Sequence, residues 1–178
     1  MIKANLISSI GPVMQIAFVP EDFDKALVHW TETMGVGPFF FMEHVGLDNC
    51  LFNGKPSTAD FGVALAYWGD LQVELIKQHN DAPSIYSRQP WLGSGGMHHV
   101  CLMTEDIEKA KSTAISSGAD IVLTANVPGG GAVCYAYPAG QEGLVEVLQP
   151  GEGTAGFFNM MKDAAKDWDG SNPLRKLG

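Results

Sequence analysis

The chain has 178 residues, 46% of them hydrophobic, and a formal net charge of −9 from 11 Lys and Arg against 20 Asp and Glu. That length supports a compact core, and the hydrophobic content is that of a globular chain. The acidic balance, with Arg88 and Arg175 as the two arginines, argues against nucleic-acid binding, which needs a basic surface, and disfavours substrates carrying several phosphates.

The first periodic segment is a short apolar strand near 12–19. A helix is predicted near 22–34, where Glu21, Asp22 and Asp24 suit the positive end of its dipole and Gly35 suits the stop. Three strands follow near 38–46, 59–68 and 71–77, with turn signals at Asn53-Gly54-Lys55-Pro56 and Trp68-Gly69-Asp70. Residues 78–96 form a joint. The pattern then repeats: a strand near 97–103, a helix near 106–117 opened by Glu105, Asp106 and Glu108 and closed at Gly118, then strands near 120–125, 131–138 and 143–149. Gly129-Gly130-Gly131 and Ala139-Gly140 mark the turns. No Lys-Ser/Thr follows the glycines, so they read as a hairpin turn and not a phosphate loop. From 151 onward one short helix, Ala155 to Lys166, is expected, followed by a frayed end.

The recurrence is visible in the residues themselves. Gln15-Ile-Ala-Phe-Val-Pro-Glu-Asp-Phe-Asp-Lys-Ala26 aligns with His99-Val-Cys-Leu-Met-Thr-Glu-Asp-Ile-Glu-Lys-Ala110 at an offset of 84. Leu71-Gln-Val-Glu-Leu-Ile76 aligns with Gly143-Leu-Val-Glu-Val-Leu148 at an offset of 72. The expectation is one α+β domain over 1–178 made of two tandem βαβββ modules: about 11–78 and about 96–150, a linker about 79–95, and a helical tail 151–178.

Four polar side chains fall inside these strands. Residues two apart share a strand face, so Gln15 lies with Val13, Ala17 and Val19, and His99 with Met97, Cys101 and Met103. Glu74 lies with Gln72 and Ile76, and Glu146 with Leu144 and Leu148. A buried carboxylate is costly unless it is paired or binds a metal. Gln15 and His99 are equivalent under the first offset, and Glu74 and Glu146 under the second, so the two pairs can converge near a pseudo-twofold axis. One imidazole nitrogen, one amide oxygen and two carboxylates suit one divalent ion such as Zn, Ni, Co, Mn or Fe.

These segments, Gln15 before Ile-Ala-Phe, Val73-Glu74-Leu75, Gly96-Met-His-His99-Val and Leu144-Val-Glu146-Val, resemble the four metal-ligand motifs of the vicinal-oxygen-chelate superfamily, over about residues 11–150. That family includes glyoxalase I, methylmalonyl-CoA epimerase, extradiol dioxygenases and bleomycin-resistance proteins. The resemblance implies a curved, half-barrel-like mixed sheet and Gln15, Glu74, His99 and Glu146 as metal ligands. It also implies Glu146, with Glu74 as its counterpart, as the catalytic base of an isomerase, epimerase or lyase. Such an enzyme removes a proton next to a carbonyl through a metal-stabilised enolate. The run with Gly-Met-His-His-Val is similar to the epimerase-like branch, whereas the ligand set is similar to that of eukaryotic glyoxalase I. The stretch Ile16-Ala-Phe-Val19 lacks the arginine with which glyoxalase I binds glutathione carboxylates. Gln15 replaces the first His of ring-cleaving dioxygenases. A small, apolar keto compound is therefore the expected substrate. The alternatives are a metal-independent protein that sequesters a small aromatic compound, and an oxygenase.

Softer candidates are Glu43 and His44, late in the second strand, as an extra acid or base or simply as surface residues. Cys101 reads as a small buried residue. Trp30, Phe39, Phe40, Phe41, Tyr67, Trp68, Tyr86, Trp91, Tyr135 and Tyr137 read as core, some as pocket lining. No apolar run reaches the roughly 18 residues of a membrane span, and residues 1–10 show no signal-peptide pattern. Cys50, Cys101 and Cys134 form no C-x-x-C pair, which fits a reducing cytoplasm. A cytoplasmic homodimer is expected, with neither membrane nor nucleic acid as a partner.

Overall fold

The structure, a computed structural model, describes residues 6–87, 91–92, 96–138, 140 and 142–177. Arg88, part of the joining segment and Ala139 lie outside the described residues. β1 (Val13–Phe18) leads into α1 (Phe23–Val28), whose Asp22 carboxylate accepts the Lys25 backbone N–H at 3.0 Å. The helix widens into a π turn over His29–Thr33 and ends at Gly35, which has φ 66°. β2 (Phe39–Met42), the hairpin of β3 (Asp48–Phe52) and β4 (Lys55–Pro56), β5 (Phe61–Trp68) and β6 (Leu71–Gln78) complete the first half. β7 (Met97–Met103) opens the second. α2 (Ile107–Ser116) is capped by Asp106, which accepts from Lys109 N–H at 3.0 Å, in the same way as α1. β8 (Ala119–Val127), β9 (Gly131–Pro138), β10 (Leu144–Gln149), α3 (Thr154–Ala165) and β11 (Leu174–Leu177) follow.

The strands form one mixed sheet in the order β11-β2-β5-β6-β1-β7-β10-β9-β8-β3-β4. At its centre β1 runs antiparallel to β7, while β6 lies parallel to β1 and β10 parallel to β7. The repeat is thus reproduced about the β1–β7 seam: β2-β5-β6-β1 on one side mirrors β8-β9-β10-β7 on the other. The paired core strands are apolar on both faces, as expected where helices cover one side and the concave side packs inward.

Two elements differ from the sequence-based expectation. The second strand ends at Met42, short of 46, because the chain leaves module one. Asn53 and Gly54, with φ 48° and 73°, form the two-residue hairpin turn such a pair favours, and β3 docks on β8 of the other module. Eight strand spacings separate β2 from β3 in the sheet order. At about 4.8 Å each, a flat sheet would hold them roughly 38 Å apart. Residues 43–47 reach at most about 20 Å. The sheet must curl so that its ends face each other.

The second difference is the tail. The chain does not fray after α3: the Phe39 N–H donates to the Pro173 carbonyl at 2.8 Å, and β11 pairs in parallel with β2. Only four residues long and carrying Arg175 and Lys176, this strand offers too little alternation to be read locally.

Small residues sit opposite the long polar ones at the seam. Ala17 is the register partner of His99, and Cys101 of Gln15. Ala17 is fully buried, so Ala17→Leu overpacks the seam. A loss of about 1–3 kcal/mol is expected, lowering the melting temperature by roughly 2–10 °C, as calorimetry would measure. An unchanged melting temperature would show that the seam has room to spare.

Candidate metal centre

The strand registers place the four sequence-predicted residues on one face of four adjacent strands. Ala17 in β1 is level with Glu74 in β6 and with His99 in β7, and Cys101 in β7 is level with Glu146 in β10. Gln15, two residues before Ala17, shares that face. All four side chains meet. His99 Nε2 lies 2.7 Å from Glu146 Oε2, 3.3 Å from Glu74 Oε2 and 3.2 Å from Gln15 Oε1. Ligand atoms of Glu74, His99 and Glu146 fall within 4.8 Å of one another.

The electrostatics are those of a site short of positive charge. Burial raises the Glu74 pKa above its ordinary value, against the pull of His99. Burial alone would lower His99, yet the charge and hydrogen bond of Glu146, with Glu74 behind it, lift its pKa to about 9. Its neighbour His98 is pushed down to about 3 by burial and by the charge on His99. Three acceptor oxygens converge on one nitrogen that carries at most one proton. With a neutral imidazole the group has a formal charge of −2, and a protonated one leaves −1 buried. A divalent ion brings the sum to zero, and the donor set of nitrogen and hard oxygens is one such an ion accepts. The residues therefore fit a divalent metal.

The group opens into a cavity of about 980 Å³. Its walls are mostly apolar: Val63 and Leu65 from β5, Val133 from β9, and Phe157 and Phe158 from α3. Among the described residues no Lys or Arg lines it, while Glu43 and Glu152 do. Glu43 and His44 sit in the strap beyond β2, at the cavity wall but exposed, and His44 Nδ1 is 2.8 Å from Asp60 Oδ1. Cys101 is buried beside Glu146, as a small core residue.

Four further participants surround the group: in the sequence Tyr86 and Tyr135 stand only within a set of aromatics of which some are expected to line a pocket, and Gln72 and His98 have no role assigned. Gln72 is fully buried, and its Oε1 accepts from Gln15 Nε2 at 2.6 Å, which aims the Gln15 oxygen at His99. Gln72 Nε2 lies near the Tyr67 hydroxyl without a well-formed hydrogen bond. Tyr86 and Tyr135 line the cavity, and burial, then the nearby carboxylates, hold both phenols protonated. His98 is fully buried behind His99. A Gln two residues before Glu74 and a doubled His were the available hints, and neither specifies a role without the register.

Residues 14–137 match the model of the glyoxalase/bleomycin resistance protein/dioxygenase superfamily, a span that includes Gln15, Glu74 and His99 and stops before Glu146. No curated protein matches the chain. Among solved structures, methylmalonyl-CoA epimerase from Mycobacterium tuberculosis is 16% identical, covers 88% of this chain and 97% of its own, and has a TM-score of 0.55. A hypothetical protein from Bacillus halodurans C-125 is 15% identical over 79% of this chain and 95% of its own, at a TM-score of 0.54. A variant of Streptomyces coelicolor methylmalonyl-CoA epimerase in complex with 2-nitronate-propionyl-CoA is 14% identical over 80% and 96%, at 0.51. At these identities the likeness is one of fold. The match to the family model covers more than half of the sequence, and the chain belongs to the glyoxalase/bleomycin resistance protein/dioxygenase superfamily.

Proposed function

We propose that the protein is a metal-dependent isomerase, epimerase or lyase that removes a proton alpha to the carbonyl of a bulky, uncharged, apolar keto compound. The observation behind this reading is two buried carboxylates flanking His99 Nε2 at the floor of a large cavity with no lysine or arginine among the described residues that line it. Gln15, Glu74, His99 and Glu146 would hold one divalent ion, and Zn, Ni, Co, Mn and Fe all suit these donors. The ion supplies the Lewis acidity that stabilises the negative charge formed on the carbonyl oxygen.

The chain's own residues do the rest. Glu146, as base, takes the proton from the carbon beside the carbonyl; its carboxyl returns that proton to a neighbouring atom in an isomerisation, while inversion of the same carbon takes a proton from the opposite side. Glu74 occupies the pseudo-symmetric position on the other side and serves as acid or base for the opposite face. The protonated phenols of Tyr86 and Tyr135 are donors for substrate oxygen, as is the Gln72 amide. The apolar walls orient a hydrophobic skeleton and exclude water, which strengthens each polar contact at the floor. An acyl-CoA would bring phosphates past Glu43 and Glu152, so a steroid-like or aromatic ketone is favoured over the thioester carried by the epimerase relatives.

A homodimer is the assembly this reading expects, from the resemblance that carries the fold. Trp68, half exposed and edge-on to Trp30 at 6.1 Å, offers apolar surface to an isologous contact. Light scattering should report twice the chain mass across micromolar concentrations; a monomer throughout contradicts this assembly.

Purified protein should hold close to one divalent ion per chain. Removing it should lower the melting temperature, since ligand at about 1,000 times its Kd adds about 4 kcal/mol, or roughly 10 °C. In the metal-free protein the His99 pKa, raised from 6.5 to about 9, sets the sign of a pH effect. The stability it contributes is fully present below pH 6.5 and is lost as pH rises through 9. The melting-temperature gap between chelated wild type and chelated His99→Gln should therefore narrow from pH 6 to pH 10. A constant gap would show that His99 is not held protonated.

Glu146→Gln keeps the shape and an oxygen ligand but removes the basicity. Exchange of alpha protons in heavy water, followed by NMR over a panel of aromatic and polycyclic ketones, should be present in wild type. It should fall about 10²–10⁴-fold in Glu146→Gln, with metal content retained. His99→Ala should lose the metal itself. Undiminished exchange in a fully loaded Glu146→Gln enzyme transfers the role of base to Glu74. Ketone binding that chelation leaves unchanged, with no exchange in any sample, would instead favour sequestration.

A further inference from the structure

We infer that His98 is a positioning residue: through a directed hydrogen-bond relay it fixes the proton of His99 on Nδ1 and so leaves the Nε2 lone pair facing Gln15, Glu74 and Glu146. This rests on the metal-dependent reading above and adds to it a residue that touches neither metal nor substrate.

The relay follows from which atoms own hydrogens. His98 Nε2 lies 2.9 Å from the backbone carbonyl of Ile85, in the segment joining the two modules. A carbonyl oxygen only accepts, so His98 Nε2 carries the hydrogen. The same carbonyl accepts from Trp91 Nε1 at 3.0 Å, which holds it in place. His98 is fully buried, its rings of contact are Tyr86, Tyr135 and His99, and among the described residues no carboxylate hydrogen-bonds to it. A cation there would be uncompensated. A neutral imidazole has one N–H, and in His98 that one is given to Ile85.

His98 Nδ1 is therefore an acceptor. Its partner at 2.8 Å is His99 Nδ1, which must donate. When His99 gives up its second proton, as binding of a metal requires, the hydrogen that stays is the one on Nδ1, and the free lone pair is that of Nε2, the atom surrounded by the three oxygens. Metal-binding histidines commonly hold their second N–H on a carboxylate, a carbonyl or water. Here a second imidazole, anchored to a backbone carbonyl, takes that place. The two halves of the molecule solve the problem differently. The position equivalent to His98 in module one is Met14, and the orientation of Gln15 is set instead by the neighbouring strand, through Gln72.

The test uses Co²⁺ and three proteins: wild type, His98→Leu and His98→Gln. Gln can accept from His99 Nδ1–H through its oxygen and donate to Ile85 through its nitrogen; Leu fills space and does neither. Affinity for Co²⁺, measured by competition with a chromophoric chelator, should fall about 10–100-fold in His98→Leu and recover in His98→Gln. The nitrogen-15 spectrum of the zinc-loaded wild type should show His99 protonated at Nδ1, a signature that a merely space-filling His98 does not set. His98→Leu with wild-type affinity overturns the role of His98. So does a loaded wild type with its His99 proton on Nε2, an outcome readable even where His98→Leu fails to fold. Wild-type protein that takes up neither Co²⁺ nor Zn²⁺ overturns the metal reading itself, and this inference with it.

Discussion

The antiparallel pairing of β1 with β7 governs the rest of the molecule. An antiparallel pair has a local twofold axis between its strands, and the two modules are arranged about that axis. Ala17 opposite His99, and Gln15 opposite Cys101, are the same register seen from the two modules. Because β6 and β10 flank this pair in parallel, Glu74 and Glu146 reach the same face from opposite sides. A slip of one residue at the seam would turn Gln15 or His99, whichever strand moved, to the other face, and the four side chains would no longer meet. The small side chains at Ala17 and Cys101 leave the longer ones room to lean toward the axis.

The module architecture was legible because it recurs. Asp22 and Asp106 cap their helices by the same contact, and the offset that aligns them also aligns Gln15 with His99. The four polar residues stood out because each interrupts an apolar strand, and the structure brings all of them together. What could not be read is what depends on nonlocal pairing. The β3–β4 hairpin was marked by Asn53-Gly54 as a turn, but nothing local says that it docks on β8. The strand β11 has its partner more than a hundred residues away in sequence. Gln72, His98, Tyr86 and Tyr135 are ordinary residues for a strand or a joint, and only the register and the directions of their hydrogen bonds distinguish them.

These nonlocal elements shape the cavity more than the repeat does. The repeat builds a trough with the polar group at its floor. The strap 43–47 crosses the trough because β3 must reach β8, and α3 and β11 close the side next to β2. Phe157, Phe158 and Leu177 come from this tail, beyond the span shared with the family model. Gln15, Glu74, His99 and the strap lie within the span that matches the family model, whereas Glu146 and the wall residues of the tail lie beyond it.

A duplicated scaffold places equivalent side chains symmetrically, yet the two sides of this site differ. Glu74 and Glu146 occupy equivalent places, but their distances to His99 Nε2 are 3.3 Å and 2.7 Å. The difference has a source in the sequence. One module contributes a neutral amide at position 15, oriented by another amide in the next strand. The other contributes an imidazole at 99, oriented by the imidazole before it. Gln15 offers no charge to either carboxylate, so both compete for His99, and the ring's orientation decides which is closer. His98 holds that ring from behind, where the cavity does not reach. The asymmetry of the two carboxylates is then a property of the interior rather than of whatever enters the cavity, and it is in place before a substrate arrives.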